Sequence, residues 1–126
     1  MRPTVENTPA EVEAIFRSLP ARLRPDRLNG WGGVVHFVIV GADKPEWTVN
    51  IVGEDVDVAE GLQGEAQCTV KMGEKTFLAI ETGKKNPIFA FAKGKIRVTN
   101  VGVMRKYDRA FWKLYDTKGL EKAEAT

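Results

Sequence analysis

Glu81–Val98 reads ETGKKNPIFAFAKGKIRV. Two Gly-Lys pairs, Gly83-Lys84 and Gly94-Lys95, bracket an apolar run that opens on Asn86-Pro87. Neither pair is a phosphate loop. The G-x-x-x-x-G-K-[ST] pattern would put its first glycine at Leu78 or at Phe89, and Ile96 stands where the second pair needs Ser or Thr. The glycines read instead as stops for two short helices. One covers Glu74–Thr82, carries Phe77, Leu78 and Ile80, and ends at Gly83. The other covers Pro87–Ala92, with Asn86 as cap, proline at its first position and Gly94 beyond its end. Its run of Ile88, Phe89 and Phe91 reads as buried, with Phe89 or Phe91 pointing into the fold. Ile96 and Val98 then alternate with Lys95, Arg97 and Thr99, the period of a strand.

The pattern upstream is strand-like. Val34–Val40 is apolar except for His36. Trp47, Val49 and Ile51 alternate with Thr48 and Asn50, Val56 and Val58 flank Asp57, and Cys68, Val70 and Met72 alternate with Thr69 and Lys71. Glycine-containing turns separate these runs, and the spacing predicts a four-strand meander with one apolar face. A helix precedes them. Thr8-Pro9-Ala10-Glu11 reads as a capping box, and Val12, Ile15, Phe16 and Leu19 form its inward stripe until Pro20 and Pro25 kink or end it. Downstream, Val103–Tyr115 reads as a helix with Met104, Tyr107, Phe111 and Leu114 on one stripe, and Lys118–Thr126 reads as a fraying tail. The order helix, four strands, two short helices, strand, helix predicts an α+β fold: a five-stranded, mostly antiparallel sheet with helices packed on one face. The 126 residues fit one domain with its core at about residues 8–116 and a tail at 117–126.

Composition narrows the function classes. Hydrophobic residues make up 43% and charged residues 29% of the chain, which is globular rather than disordered. No apolar run approaches the roughly 18 residues of a membrane span, and the N-terminus shows no apolar signal core, so the expected location is cytoplasmic. The chain ends Glu124-Ala125-Thr126, without a peroxisomal Ser-Lys-Leu. The single cysteine, Cys68, is in phase with Val70 and Met72 and reads as a core residue. It excludes an internal disulfide and a Cys-rich zinc site. His36, the only histidine, reads as structural. The carboxylates Glu54, Asp55 and Asp57 read as a solvated edge, and no nucleophile elbow is present. No catalytic site, metal or cofactor is expected. Charge is uneven: residues 1–66 carry 6 basic and 11 acidic side chains, and residues 67–126 carry 13 and 6. The basic half suits an anionic ligand or surface. Nucleic acid is set aside because the aromatic residues beside the lysines read as buried rather than as a stacking platform.

The runs Val35-x-Phe37-x-Ile39, Trp47-x-Val49-x-Ile51 and Ala66-x-Cys68-Thr69-Val70 are followed by Phe77-Leu78-Ala79-Ile80-x-x-Gly83-Lys84. Asn86-Pro87, Ala90-Phe91 and Gly94-Lys95-Ile96-x-Val98 come next. This succession resembles the sterol carrier protein type-2 family, the nonspecific lipid-transfer domain, over about Val12–Tyr115, and Phe77–Val98 is its most specific part. One departure lies after the last strand, where the family often has Gly-Asp and this chain has Asn100-Val101. A left-handed Asn100 would preserve that turn.

The resemblance implies a non-catalytic carrier that holds a fatty acid, acyl-CoA, sterol-like or isoprenoid lipid in an apolar tunnel between sheet and helices. The alternative is an accessory or structural subunit that presents a lipophilic substrate to a partner enzyme. Phe37, Ile39, Val49, Ile51, Val70 and Met72 would floor the tunnel; Phe77, Ile80, Phe89, Phe91, Met104, Tyr107 and Phe111 would wall it. The same side chains could instead pack into a closed core. Lys84, Lys85, Lys93, Lys95 and Arg105 would form a rim for an anionic head group or a transient anionic membrane surface. Trp112 and Tyr115, if exposed, would suggest a homodimer contact.

Overall fold

A computed structural model describes residues 11–114. The proposed capping box at Thr8–Glu11 lies mostly outside that range, as do Tyr115 and the tail. Helices α1 (Val12–Arg17) and α2 (Leu19–Arg22) meet at Ser18, and Pro20 sits in the first turn of α2, where its missing N–H costs nothing. A 3₁₀ turn at Pro25–Arg27 leads to strand β1 (Gly33–Val40), followed by β2 (Glu46–Val52), β3 (Asp55–Glu60) and β4 (Cys68–Gly73). Helices α3 (Glu74–Glu81) and α4 (Pro87–Ala92), strand β5 (Ile96–Val98) and helix α5 (Val101–Arg109) follow.

The five strands form one mixed sheet in the order β3-β2-β1-β4-β5. Three pairings are antiparallel, and β1 with β4 is parallel. The α+β class and the strand count agree with the sequence pattern; the four-strand meander does not. Only β1, β2 and β3 form a meander. The chain then crosses back to the open edge of β1. The segment Gly61–Gln67 makes this crossing over the helix-free face of the sheet and is tied there by buried polar side chains. Thr48 Oγ1 donates to the Gly61 carbonyl (2.7 Å) and accepts from Gln63 N–H (2.9 Å), and His36 Nε2 bonds the Gln63 carbonyl at 2.9 Å. His36 is therefore a satisfied structural residue. The edge strand β3, with Asp55, Asp57 and Glu60 exposed, has the charged character that discourages further pairing.

Alternation places Val35, Phe37 and Ile39 of β1 on the face that meets the helices. Registered beside them are Trp47, Val49 and Ile51 of β2 and Cys68, Val70 and Met72 of β4. Phe16 of α1 is the aromatic hub above them. Its ring stacks on Trp47 (5.1 Å between centroids) and Phe77 (5.2 Å) and meets Phe37 edge-on. These rings, with Ile15, Leu19 and Leu28, close the space over β1 and β2.

Helix α5 stops earlier than its apolar stripe suggests. Arg24 N–H donates to the Ala110 carbonyl (2.7 Å), Trp112 N–H donates to the Arg22 carbonyl (2.8 Å), and Leu23 and Phe111 form a β-bridge. The backbone after Arg109 thus exchanges helical bonds for strand-like ones with the exit of α2, so the expected helix Val103–Tyr115 is broken after Arg109; Leu114 is helical again and Tyr115 lies outside the described residues. Its start is also earlier, at Val101. Asn100 is extended (φ −147°) rather than left-handed, and its side chain accepts from Val103 N–H (3.1 Å) as an N-cap.

Candidate ligand-binding cleft

Between the β4–β5 half of the sheet and helices α3, α4 and α5 lies a cleft of about 820 Å³, within the roughly 300–1,000 Å³ typical of small-molecule sites. Its floor is Phe37, Met72, Ile96 and Val98; α3 contributes Phe77 and Ile80; α5 contributes Met104 and Tyr107. Pro87, Ile88 and Phe91 of α4 form one edge, with Val101 of α5. The space stays open on this side because α4 is six residues long and buries only Ala90.

Of the residues expected to hold a ligand, Phe37, Met72, Phe77, Ile80, Phe91, Met104 and Tyr107 are brought together around this cleft. Ile39, Val49, Ile51 and Val70 lie instead in the closed core, at most 2% exposed. Phe111 is also buried, its ring against Tyr107 at 5.0 Å. Phe89 lies outside the cleft and faces solvent. The expectation that Ile88, Phe89 and Phe91 are buried is corrected, since their exposures are 74%, 66% and 45%. Ala90 alone of this helix is buried. With these rings exposed, the reason given for setting nucleic acid aside no longer holds. Lys84, Lys85 and Arg105 line the cleft; Lys93 and Lys95 are exposed beyond it.

A polar group that the sequence pattern does not reveal also borders the cleft. Arg22, although charged, is 3% exposed. Its guanidinium donates to Ser18 Oγ (3.0 Å) and to the carbonyls of Ile15 and Trp112 (3.2 Å each), and it lies 3.9 Å from the Glu81 carboxylate. Glu81 lines the cleft. Burial pushes its carboxyl above the ordinary 4.5, opposed by Arg22 and Lys113 and reinforced by Asp108. Burial likewise raises the Tyr107 hydroxyl well above its usual range, with Glu81 adding to the shift. Lys113 pairs with Asp108 on the same side. Helical spacing marks Glu81 only as a polar end of α3. That its neighbour is an arginine 59 positions earlier follows from the docking of α2, which no local pattern encodes. Trp112, proposed as a dimer contact, is half-buried with the Arg24 guanidinium 3.8 Å above its ring. Among the described residues, no cluster of His, Cys, Asp and Glu could hold a metal ion, and no helix is long and apolar enough to cross a membrane.

Residues 12–111 match the model of the SCP-2 sterol transfer family. Sterol carrier protein 2 of Gallus gallus is 35% identical over 99 residues, covering 73% of this chain and 18% of that protein. This chain spans less than a fifth of the length of the curated relatives it matches. Among solved structures, palmitated SCP2L2 from Aedes aegypti superposes with a TM-score of 0.62 at 23% identity, over 77% of this chain and 90% of that one. The stereoselective inverting sec-alkylsulfatase Pisa1 from Pseudomonas sp. superposes with a TM-score of 0.63 at 18% identity, over 78% of this chain and 16% of that one. At these identities the structural likeness shows a shared fold. From the family match across most of its length, together with this fold, the chain belongs to the SCP-2 sterol transfer family.

Proposed function

We propose that this chain binds one lipophilic molecule non-covalently in the cleft and carries it, acting as a lipid carrier rather than as an enzyme. The observation that supports this most directly is the cleft of about 820 Å³ with an apolar floor and walls in a chain of this family. Affinity then comes mainly from removing hydrocarbon from water, at about 0.8 kcal/mol per methylene. Ten buried methylenes contribute about 8 kcal/mol before the costs of ordering the chain, so a fatty acyl, sterol-like or isoprenoid group needs few polar contacts. Lys84, Lys85 and Arg105 at the cleft supply donors for an anionic head group.

Native mass spectrometry of the purified protein, followed by organic extraction, is expected to show one co-purifying lipid per chain. Fluorescent fatty acids are expected to bind at micromolar concentration and to be displaced by unlabelled lipid. If nothing co-purifies and no long-chain probe binds or competes, the carrier reading fails.

A further inference from the structure

Ile88, Phe89 and Phe91 of α4 stand outside the packed core. Ile88, Phe89 and Phe91 expose 74%, 66% and 45% of their surface, while Ala90 between them makes the buried contact. Three large apolar side chains on one six-residue helix form a compact protrusion rather than a scatter of single surface residues. They stand beside the cleft, since Ile88 and Phe91 also line it.

The chain around α4 is basic, with Glu81 and Asp108 the acidic residues that line the adjoining cleft. From residue 82 to residue 107 there are seven basic side chains (Lys84, Lys85, Lys93, Lys95, Arg97, Arg105 and Lys106) and no acidic one. Lys84 and Lys85 precede α4, and Lys93 and Lys95 follow it, so the apolar protrusion is flanked by lysines at both ends. The helix is also held in place at both ends. Asn86 Oδ1 accepts from Ile88 N–H (2.8 Å), Gly94 turns the chain at φ 76°, and the Lys95 N–H returns to the Ala90 carbonyl (2.9 Å).

We propose that α4 is a membrane-docking element, with Ile88, Phe89 and Phe91 entering the interface of an anionic bilayer and the flanking lysines lying at its head groups. Charge complementarity selects this occupant. A plane of negative head groups can meet lysines on both sides of the protrusion at once, and its acyl boundary takes up apolar side chains. A single-stranded nucleic acid suits the lysines and the rings but not Ile88, the most exposed of the three, because an aliphatic side chain offers no stacking face. Docking through α4 would bring the cleft's edge to the bilayer, but the proposal stands whatever the cleft carries.

Flotation of the full chain with vesicles tests it without any knowledge of the cleft's ligand. Binding is expected to vesicles containing about a third phosphatidylserine and to be weak on pure phosphatidylcholine. It should weaken as salt screens the lysines. Phe89→Ser removes a solvent-facing ring outside the cleft and is expected to lower partitioning roughly tenfold with an unchanged circular dichroism spectrum. Lys93→Gln with Lys95→Gln is expected to lower it by more than tenfold, at about fivefold per charge. As a second reading that does not depend on losing function, Phe89→Trp should gain quenching by brominated lipid beyond that of the native chain. The proposal is overturned if anionic vesicles do not bind the protein. It is equally overturned if Phe89→Ser binds as well as the native chain and Phe89→Trp is not quenched, which would place the contact elsewhere. Preferential binding of a single-stranded oligonucleotide that competes the protein off vesicles would also overturn it.

Discussion

Glu81 shows how a single side chain can set a pH response. Its carboxyl is raised above 4.5 chiefly by burial, although the Arg22 guanidinium lies 3.9 Å away. The folded chain therefore keeps a proton that the unfolded chain has already released. Stability contributed by this group is greatest below pH 4.5 and falls as pH rises toward the raised folded value. Glu81→Gln cannot ionise and should remove that slope. Arg22 retains its three other acceptors in the variant. In thermal unfolding followed between pH 4 and pH 7, the melting temperature of the variant relative to the native chain is expected to climb with pH. A difference that stays flat or declines would mean that attraction to Arg22 outweighs the cost of burial. Nothing in the local sequence signals this pair. The Ala110–Trp112 backbone folds back along the exit of α2, and the Arg22 side chain is buried with Ser18 and the carbonyls of Ile15 and Trp112 as its partners.

At the scale of the element, α4 was legible in its limits and not in its orientation. Asn86-Pro87 and Gly94 are local backbone chemistry, and the helix spans Pro87–Ala92 as that chemistry predicts. Which face it buries depends on what stands opposite. Strand β5 is only three residues long, and of α4 only Ala90 is buried while both phenylalanine rings are exposed. The same distinction applies to α5: its cap is local, whereas its end at Arg109 is imposed by a partner segment more than eighty residues earlier in the chain. The strand order follows this pattern too, since alternation fixes which residues of β4 face inward but not which edge β4 joins. Because α4 has so little packing, its cap should govern its local stability. Asn86→Ala leaves the Ile88 N–H without its acceptor and should cost about 1 kcal/mol. Hydrogen exchange is the suitable measurement. The amides of Ala90 and Lys93, which bond within this helix, are expected to exchange roughly fivefold faster, while those in β1 and β4 are unchanged. Equal acceleration throughout would show instead that α4 unfolds only with the whole domain.

Over the whole molecule, the space between sheet and helices divides into two unequal halves. Phe16, Trp47, Phe77 and Phe37 fill the part over β1 and β2, and the part over β4 and β5 stays open beneath short helices. Inward-pointing residues of the two halves have the same alternation and the same chemistry, so period alone assigns Ile39, Val49, Ile51 and Val70 to the same surface as Met72 and Met104. The aromatic hub of α1 covers the β1–β2 side, with Phe37 and Phe77 at the boundary, and Met72 and Met104 are left at the cleft. The two sets should respond differently to substitution. Met104 is half-buried on the cleft wall, and Met104→Trp extends into open space rather than into packed neighbours. Stability is then expected to change by less than about 1.5 kcal/mol, while affinity for a long-chain fluorescent probe falls at least tenfold. Ile39→Ala, in the closed half, should instead cost about 2–5 kcal/mol of stability and leave probe affinity within about twofold wherever the variant remains folded. Denaturant titration and probe binding on the two variants separate these effects. Loss of affinity in Ile39→Ala with none in Met104→Trp would place the binding volume in the other half of the molecule.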